Sequence, residues 1–104
     1  MRVEAIDHVQ LAMPEGGEQK ARAFYHGIMG ISEKPKPPHL AVRGGVWFED
    51  SDLKLHLGVE KDFRPARKAH PAVIVFGLDE LLAEFQRAGV EIIPDDPLDG
   101  YRRA

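Results

Sequence analysis

Polar and apolar residues alternate strictly from Leu53 to Glu60, L-K-L-H-L-G-V-E. On a strand, Leu53, Leu55, Leu57 and Val59 share one face, and Lys54, His56, Gly58 and Glu60 the other. A sheet with one apolar side buries it against a helix or a second sheet, so the leucine side is core. The other side carries a histidine in mid-strand, beside a glycine that leaves room in front of it. That is the pattern of a cavity wall.

The rest of the chain can be read in the same way. Val3 to Met13 is expected as a strand, with Val9, Leu11 and Met13 on one face and His8, Gln10 and Ala12 on the other. Pro14 to Gly17 is a turn. Glu18 to Met29 has helical spacing, with Ala21, Phe24 or Tyr25, and Ile28 on one side, and Gly30 is its stop. Ile31 to Lys34 fits a short strand before a proline-rich loop. Leu40 to Phe48 is expected as a strand interrupted at Gly44-Gly45, a sign of a bulge or of close approach by a ligand or another backbone. Glu49 to Asp52 is a polar turn, and Lys61 to Ala69 a charged linker. His70 to Phe76 then alternates again, Glu80 to Ala88 has a helical stripe of Leu81, Leu82 and Phe85 with Asp79 as N-cap and Gly89 as stop, and Val90 to Ile93 is a further strand.

The two halves match. His8 precedes Phe24 by about the interval that separates His70 from Phe85, and in both halves a histidine-bearing strand leads to a helix, a glycine and a short strand. This is an internal repeat of a β-α-β-β-β unit. Residues 1–60 form the first module and 70–104 part of a second, within one domain.

Composition narrows the setting. At 104 residues the chain suits one domain with one core. It is 43% hydrophobic and 30% charged, which argues against disorder. With no cysteine, disulfide and thiolate chemistry are excluded and a reducing cytoplasm is the simplest home. No secretory h-region opens the chain, and no apolar run approaches the roughly 20 residues that span a bilayer. A net charge of -3 without a Lys/Arg stripe argues against nucleic acid as a partner.

Several stretches resemble the vicinal oxygen chelate superfamily, which contains glyoxalase I, extradiol dioxygenases, and fosfomycin and bleomycin resistance proteins. D-H-V-Q-L-A-M-P (Asp7 to Pro14) is similar to its first strand, and A-F-Y-H-G-I-M-G (Ala23 to Gly30) to its F-Y-x-x-x-L-G helix end, with Met29 in place of leucine. L-H-L-G-V-E resembles its fourth strand, A-H-P-A-V-I-V (Ala69 to Val75) the opening strand of its second module, and Leu78 to Ile92 the following helix and strand. The resemblance implies an α+β fold of paired βαβββ modules, curled into a cup-shaped mixed sheet with helices outside. The second module is incomplete in this chain.

The resemblance also implies a divalent metal in the cup. His8 matches the first-strand ligand, His56 the fourth-strand ligand and His70 the first-strand ligand of the second module. The fourth ligand, usually a glutamate of the last strand, is expected beyond Ala104. Three imidazoles suit zinc, nickel, iron(II) or manganese; the alternative for each is a half-buried histidine bonded to backbone. Arg43 is the best cationic candidate for gripping an anionic substrate, against a surface salt bridge. Trp47 is either a core aromatic or part of a pocket floor, with core packing favoured. His26 and His39 are read as surface residues, and Glu49, Asp50 and Glu60 as solvated charges.

Two functions follow as expectations. One is a metal-dependent enzyme of the lyase/isomerase or dioxygenase type, acting on a small oxygen-chelating substrate. The other is a metal-free drug- or metabolite-binding protein of the bleomycin-resistance kind. An unfinished sheet leaves edge groups for a partner chain, so a homodimer is expected.

Overall fold

The computed structural model describes all 104 residues, which divide into two compact units, Met1–Ala72 and Val73–Ala104. The first unit contains β1 (Val9–Met13), α1 (Glu18–Ala21), which continues into a π-helical stretch (Arg22–Ile28), β2 (Glu33–Lys34), α2 (Pro38–Ala41), β3 (Val46–Asp50) and β4 (Leu53–Val59). Its four strands form one mixed sheet in the order β1-β4-β3-β2. β1 and β4 run parallel, which is possible because the helix and two strands lie between them in sequence; the other pairs are antiparallel. The first module therefore has the expected strand, helix and three-strand order.

Alternation decides what the sheet buries. Val46 pairs with Leu57 and Phe48 with Leu55, while Val9 and Leu11 lie opposite the same two leucines. Met13, Ala21, Ile31, Val46, Phe48, Leu55 and Leu57 make the core, and Phe48 is wholly buried. The helical segment supplies the cover: Tyr25 lies 5.3 Å from Phe48 between ring centroids, with Phe24 edge-on to Tyr25 at 4.9 Å. Burial among apolar groups pushes the Tyr25 hydroxyl's pKa up. The wider turn of the π-helix is visible where Met29 N–H donates to Phe24 O, five residues back, at 3.0 Å. Gly30 (φ +73°) ends the helix as expected.

Three expectations in this unit need correction. β1 begins at Val9 rather than Val3, because β4 offers it parallel partners only from Val9 onward. Residues 40–42 are not strand: Pro37-Pro38 fixes the backbone for a helical turn, and Pro38 opens α2. The strand resumes only after Gly44-Gly45, where the expected close approach is realised. Gly45 has φ +86°, and a Cβ there would stand 2.2 Å from Leu57 O. Trp47, finally, is not core. In β3 its neighbours Val46 and Phe48 take the buried face, so parity sends Trp47 to the other side.

The second unit is built on α3 (Leu78–Arg87). Left-handed Gly77 precedes the helix, so Asp79, expected as its N-cap, sits inside its first turn. There Asp79 accepts hydrogen bonds from Arg102 at 2.6 and 3.3 Å, which hold its carboxyl below the usual range. Gly89 (φ +74°) ends the helix, and Val90 N–H closes back on Phe85 O at 2.9 Å. Neither 70–76 nor 90–93 forms a strand. Alternation specifies which way side chains face, but a strand also needs a neighbour for its backbone groups, and neither segment has one. Ile74 and Phe76 are consequently exposed.

Candidate functional site

The polar face of the first unit's sheet brings together side chains from four strands. Trp47 and His56 are direct partners across β3 and β4, and Gln10 is the partner of His56 on β1. Trp47 stacks on His56 with centroids 4.2 Å apart and planes 9° from parallel. On its other face His56 stacks against His8, at 4.3 Å and 19°. One imidazole is thus held between two rings. It is 6% exposed, the single polar residue among the buried ones.

Glu49 fixes the orientation of that imidazole. Two residues along β3 from Trp47, it shares the polar face, and His56 Nε2 donates to its Oε2 at 2.7 Å. Its other oxygen meets Lys34 Nζ at 3.3 Å. The His56 hydrogen bond, aided by Lys34, holds the Glu49 carboxyl below the ordinary range against the opposing effect of burial. His56 Nδ1 keeps no protein partner. His8, half-exposed beside β1, accepts the same kind of support: its Nδ1 donates to Asp7 Oδ2 at 2.9 Å, leaving Nε2 unpartnered. Asp7 is lowered by His8 and by Lys54, whose Nζ lies 3.5 Å away.

The space before His56 is not simply open. A Cβ on Gly58 would stand 2.7 Å from Gln10 Nε2, so the glycine makes room for the glutamine side chain. Beside it lies a hollow of about 190 Å³ lined by Gln10, Lys36, Leu40, Arg43, Gly44, Trp47, Leu57, Gly58 and Val59. A larger one of about 480 Å³ shares Lys36, Gly44 and Trp47 with it and extends past Lys34 to Arg22 and Glu33. Arg22 grips Glu33 through Nε and Nη2 at 2.9 and 3.3 Å.

Of the residues singled out from the sequence, His8, His56 and Trp47 come together, and Arg43 joins Trp47 at the smaller hollow. His70 does not join them. It is exposed on a loop, with Nδ1 donating to Lys68 O at 2.8 Å. No three His, Asp or Glu side chains are grouped to hold a metal ion. The two stacked rings explain part of this. An imidazole lone pair lies in its ring plane, and nearly parallel planes send the lone pairs of His8 and His56 side by side instead of to one point roughly 2 Å from both. As placed, these residues do not fit a shared ion.

Sequence reasoning missed Glu49, Lys36 and Gln10. Glu49 was legible in principle. The two-residue turn Ser51-Asp52 pairs Asp50 with Leu53, and counting back puts Glu49 opposite Lys54 on the histidine's face.

An α+β module with a mixed four-stranded sheet and a ring-lined polar face defines the class. No family model matches the chain, and no match is found among curated proteins. Among solved structures, a crystal structure assigned to the glyoxalase family from Bacillus anthracis is similar to it at 46% identity and a TM-score of 0.84, covering 91% of this chain and 78% of that one. The chain belongs to the glyoxalase family. No helix is long and apolar enough to cross a membrane.

Proposed function

We propose that the chain binds a small, oxygen-bearing organic molecule on the polar face of the sheet, against Trp47 and beside His56. The stack of Trp47, His56 and His8 carries this reading. It is a wall of stacked rings with polar groups at its rim, the composition that orients small molecules in concave sites. Rings held by mutual stacking and by the Glu49 hydrogen bond lose little conformational freedom on binding. In this reading the protein is a metal-free binder of the bleomycin-resistance kind, and Glu49 serves to hold His56 upright in the stack.

The test is a screen of neutral, oxygen-bearing planar compounds, catechol among them, against the full chain with chelator present. Trp47 is the sole tryptophan, so its emission reports on the wall directly. Saturable changes that survive chelation and weaken in His56→Ala support the reading. Binding that requires an added divalent ion refutes it.

A second reading rests on a different observation, the two imidazole nitrogens without protein partners, His8 Nε2 and His56 Nδ1. In this reading the chain is a divalent-metal-dependent enzyme, and His8 and His56, with His70, hold zinc, nickel, iron(II) or manganese. His8, whose side chain is 42% exposed, must then leave the stack to aim its lone pair at the ion, and His70 must be brought to the same face. Metal content by mass spectrometry on protein purified without a histidine tag decides it: about one ion per chain, lost in His8→Ala, is the outcome this reading requires.

A further inference from the structure

We infer that the ligand of this face carries an oxyanion, and that Lys36 and Arg43 hold it. This rests on the small-molecule reading above and names the chemistry of the molecule. The smaller hollow is lined by two cations and no carboxylate. Charge accounting makes that asymmetry specific. The other cations near Trp47 are neutralised, Arg22 by the Glu33 fork and Lys34 by Glu49. Lys36 donates only to a neutral acceptor, the Gly44 carbonyl, and Arg43 makes neither an ion pair nor a side-chain hydrogen bond.

Two positive charges without a carboxylate partner line one recess and repel each other. An anion between them removes that repulsion and gains two charge-assisted hydrogen-bond donors, one of them a guanidinium that can meet a carboxylate or phosphate in two places. The backbone contributes to the placement. Lys36 is tied to Gly44, one residue from Arg43, so its side chain is anchored to the turn that carries Arg43. The amide of Gln10 and the indole of Trp47 also line the hollow.

Volume bounds the size. About 190 Å³ is room for roughly six waters at liquid density. That admits inorganic phosphate or a short 2-oxo carboxylate, whose neighbouring oxygens could reach the Gln10 amide. A longer molecule would extend into the 480 Å³ hollow, past Lys36.

The experiment is a fluorescence titration of the full chain through Trp47, at constant ionic strength, with inorganic phosphate in one arm, pyruvate in a second and sodium chloride as control. The expected result is a saturable change with at least one oxyanion and none with chloride. Apparent affinity should fall at least tenfold in Lys36→Ala and in Arg43→Ala, and remain unchanged in Arg67→Ala. Arg43→Ala breaks no hydrogen bond, so it keeps the test valid if the Lys36 variant unfolds. Saturation by phosphate alone assigns a phosphoryl head, and by pyruvate alone a carboxylate. A flat response to both oxyanions, or equal binding by the Arg43 variant, overturns the proposal. If neutral compounds bind in the screen while oxyanions do not, the anion assignment falls alone; if neither binds, the small-molecule reading falls with it.

Discussion

His56 lies between Trp47 and His8 and is pinned edgewise by Glu49 at 2.7 Å, so a single imidazole links β3 and β4 to the residue that leads into β1. Removing it has consequences on both sides. His56→Ala would forfeit two ring contacts and leave Glu49, mostly buried, with Lys34 as its remaining partner. A loss of about 2–3 kcal/mol is expected, from a carboxylate deprived of a buried donor. Equilibrium urea unfolding checks this; a change below 0.5 kcal/mol, on the order seen for neutral surface sites, would show that the stack contributes nothing to stability.

The same pair makes an acid-sensitive contact. Glu49 has a depressed carboxyl in the folded state, so the unfolded chain binds its proton first as pH falls. The contribution is complete above the ordinary glutamate range, near pH 4–5, and is lost as pH drops through the lowered folded value. Glu49→Gln should therefore be less stable than the parent at neutral pH and converge toward it in acid. Parallel stability curves from pH 7 to 3 would contradict the assignment of Glu49 as ionised partner.

Gly45 and Gly16 separate two reasons for glycine. Both have positive φ, +86° and +74°, but a Cβ at Gly16 meets nothing within 4 Å, while one at Gly45 collides with the Leu57 carbonyl. Gly16→Ala is expected to cost about 1–2 kcal/mol, the conformational penalty alone. Gly45→Ala must in addition push β3 away from β4 and should fail to give a cooperative thermal transition. Similar melting temperatures for the two variants would mean that the strands part easily at this point.

How far the sequence carried the fold depended on whether an element's partner was nearby. The Leu53 to Val59 alternation placed four apolar residues inward and His56 outward correctly, and the core leucines followed. For Trp47 size favours core packing over a pocket floor, but the alternation around it sends Val46 and Phe48 inward; parity outweighs hydrophobicity when only one face is buried. Glu49, expected as a solvated turn charge after a strand ending at Phe48, lies within β3, which runs on to Asp50. The repeat drew 70–76 as a strand, but pattern alone cannot supply the neighbour that a strand requires. The π-helical turn left no signature in the spacing of Ala21, Tyr25 and Ile28, which is also compatible with an α-helix. As for the site, His8, His56 and His70 are singled out together as ligands that the family resemblance implies, and of these the structure brings His8 and His56 together. The stacking of His8 and His56 has no sequence signal, because ring orientation depends on what Glu49 and Asp7 accept.

The outer edge of β1 leads to the last prediction. β1 pairs with β4 and is the terminal strand of the sheet, so its outward backbone groups from Val9 to Met13 take no part in a strand ladder. Exposed edges of this kind are commonly covered, and a second copy presents an identical edge related by a twofold axis. We expect a homodimer, with a mass by light scattering at micromolar concentration of twice that of the chain. Leu11 offers the way to test the place as well as the state. Its own backbone groups are in the middle of β1, and Leu11→Pro would remove its N–H and disturb the strand, but that change also threatens the pairing with β4. Ala12→Lys is the cleaner variant: Ala12 is exposed on the polar face, and a charge there leaves the β1–β4 ladder and the buried face intact. If the dimer forms through this edge, like charges brought together across the twofold should shift it toward monomer at low salt and release it less as ionic strength rises. A monomer at all concentrations in the parent protein defeats the dimer; an unchanged dimer in the variant moves the contact away from β1.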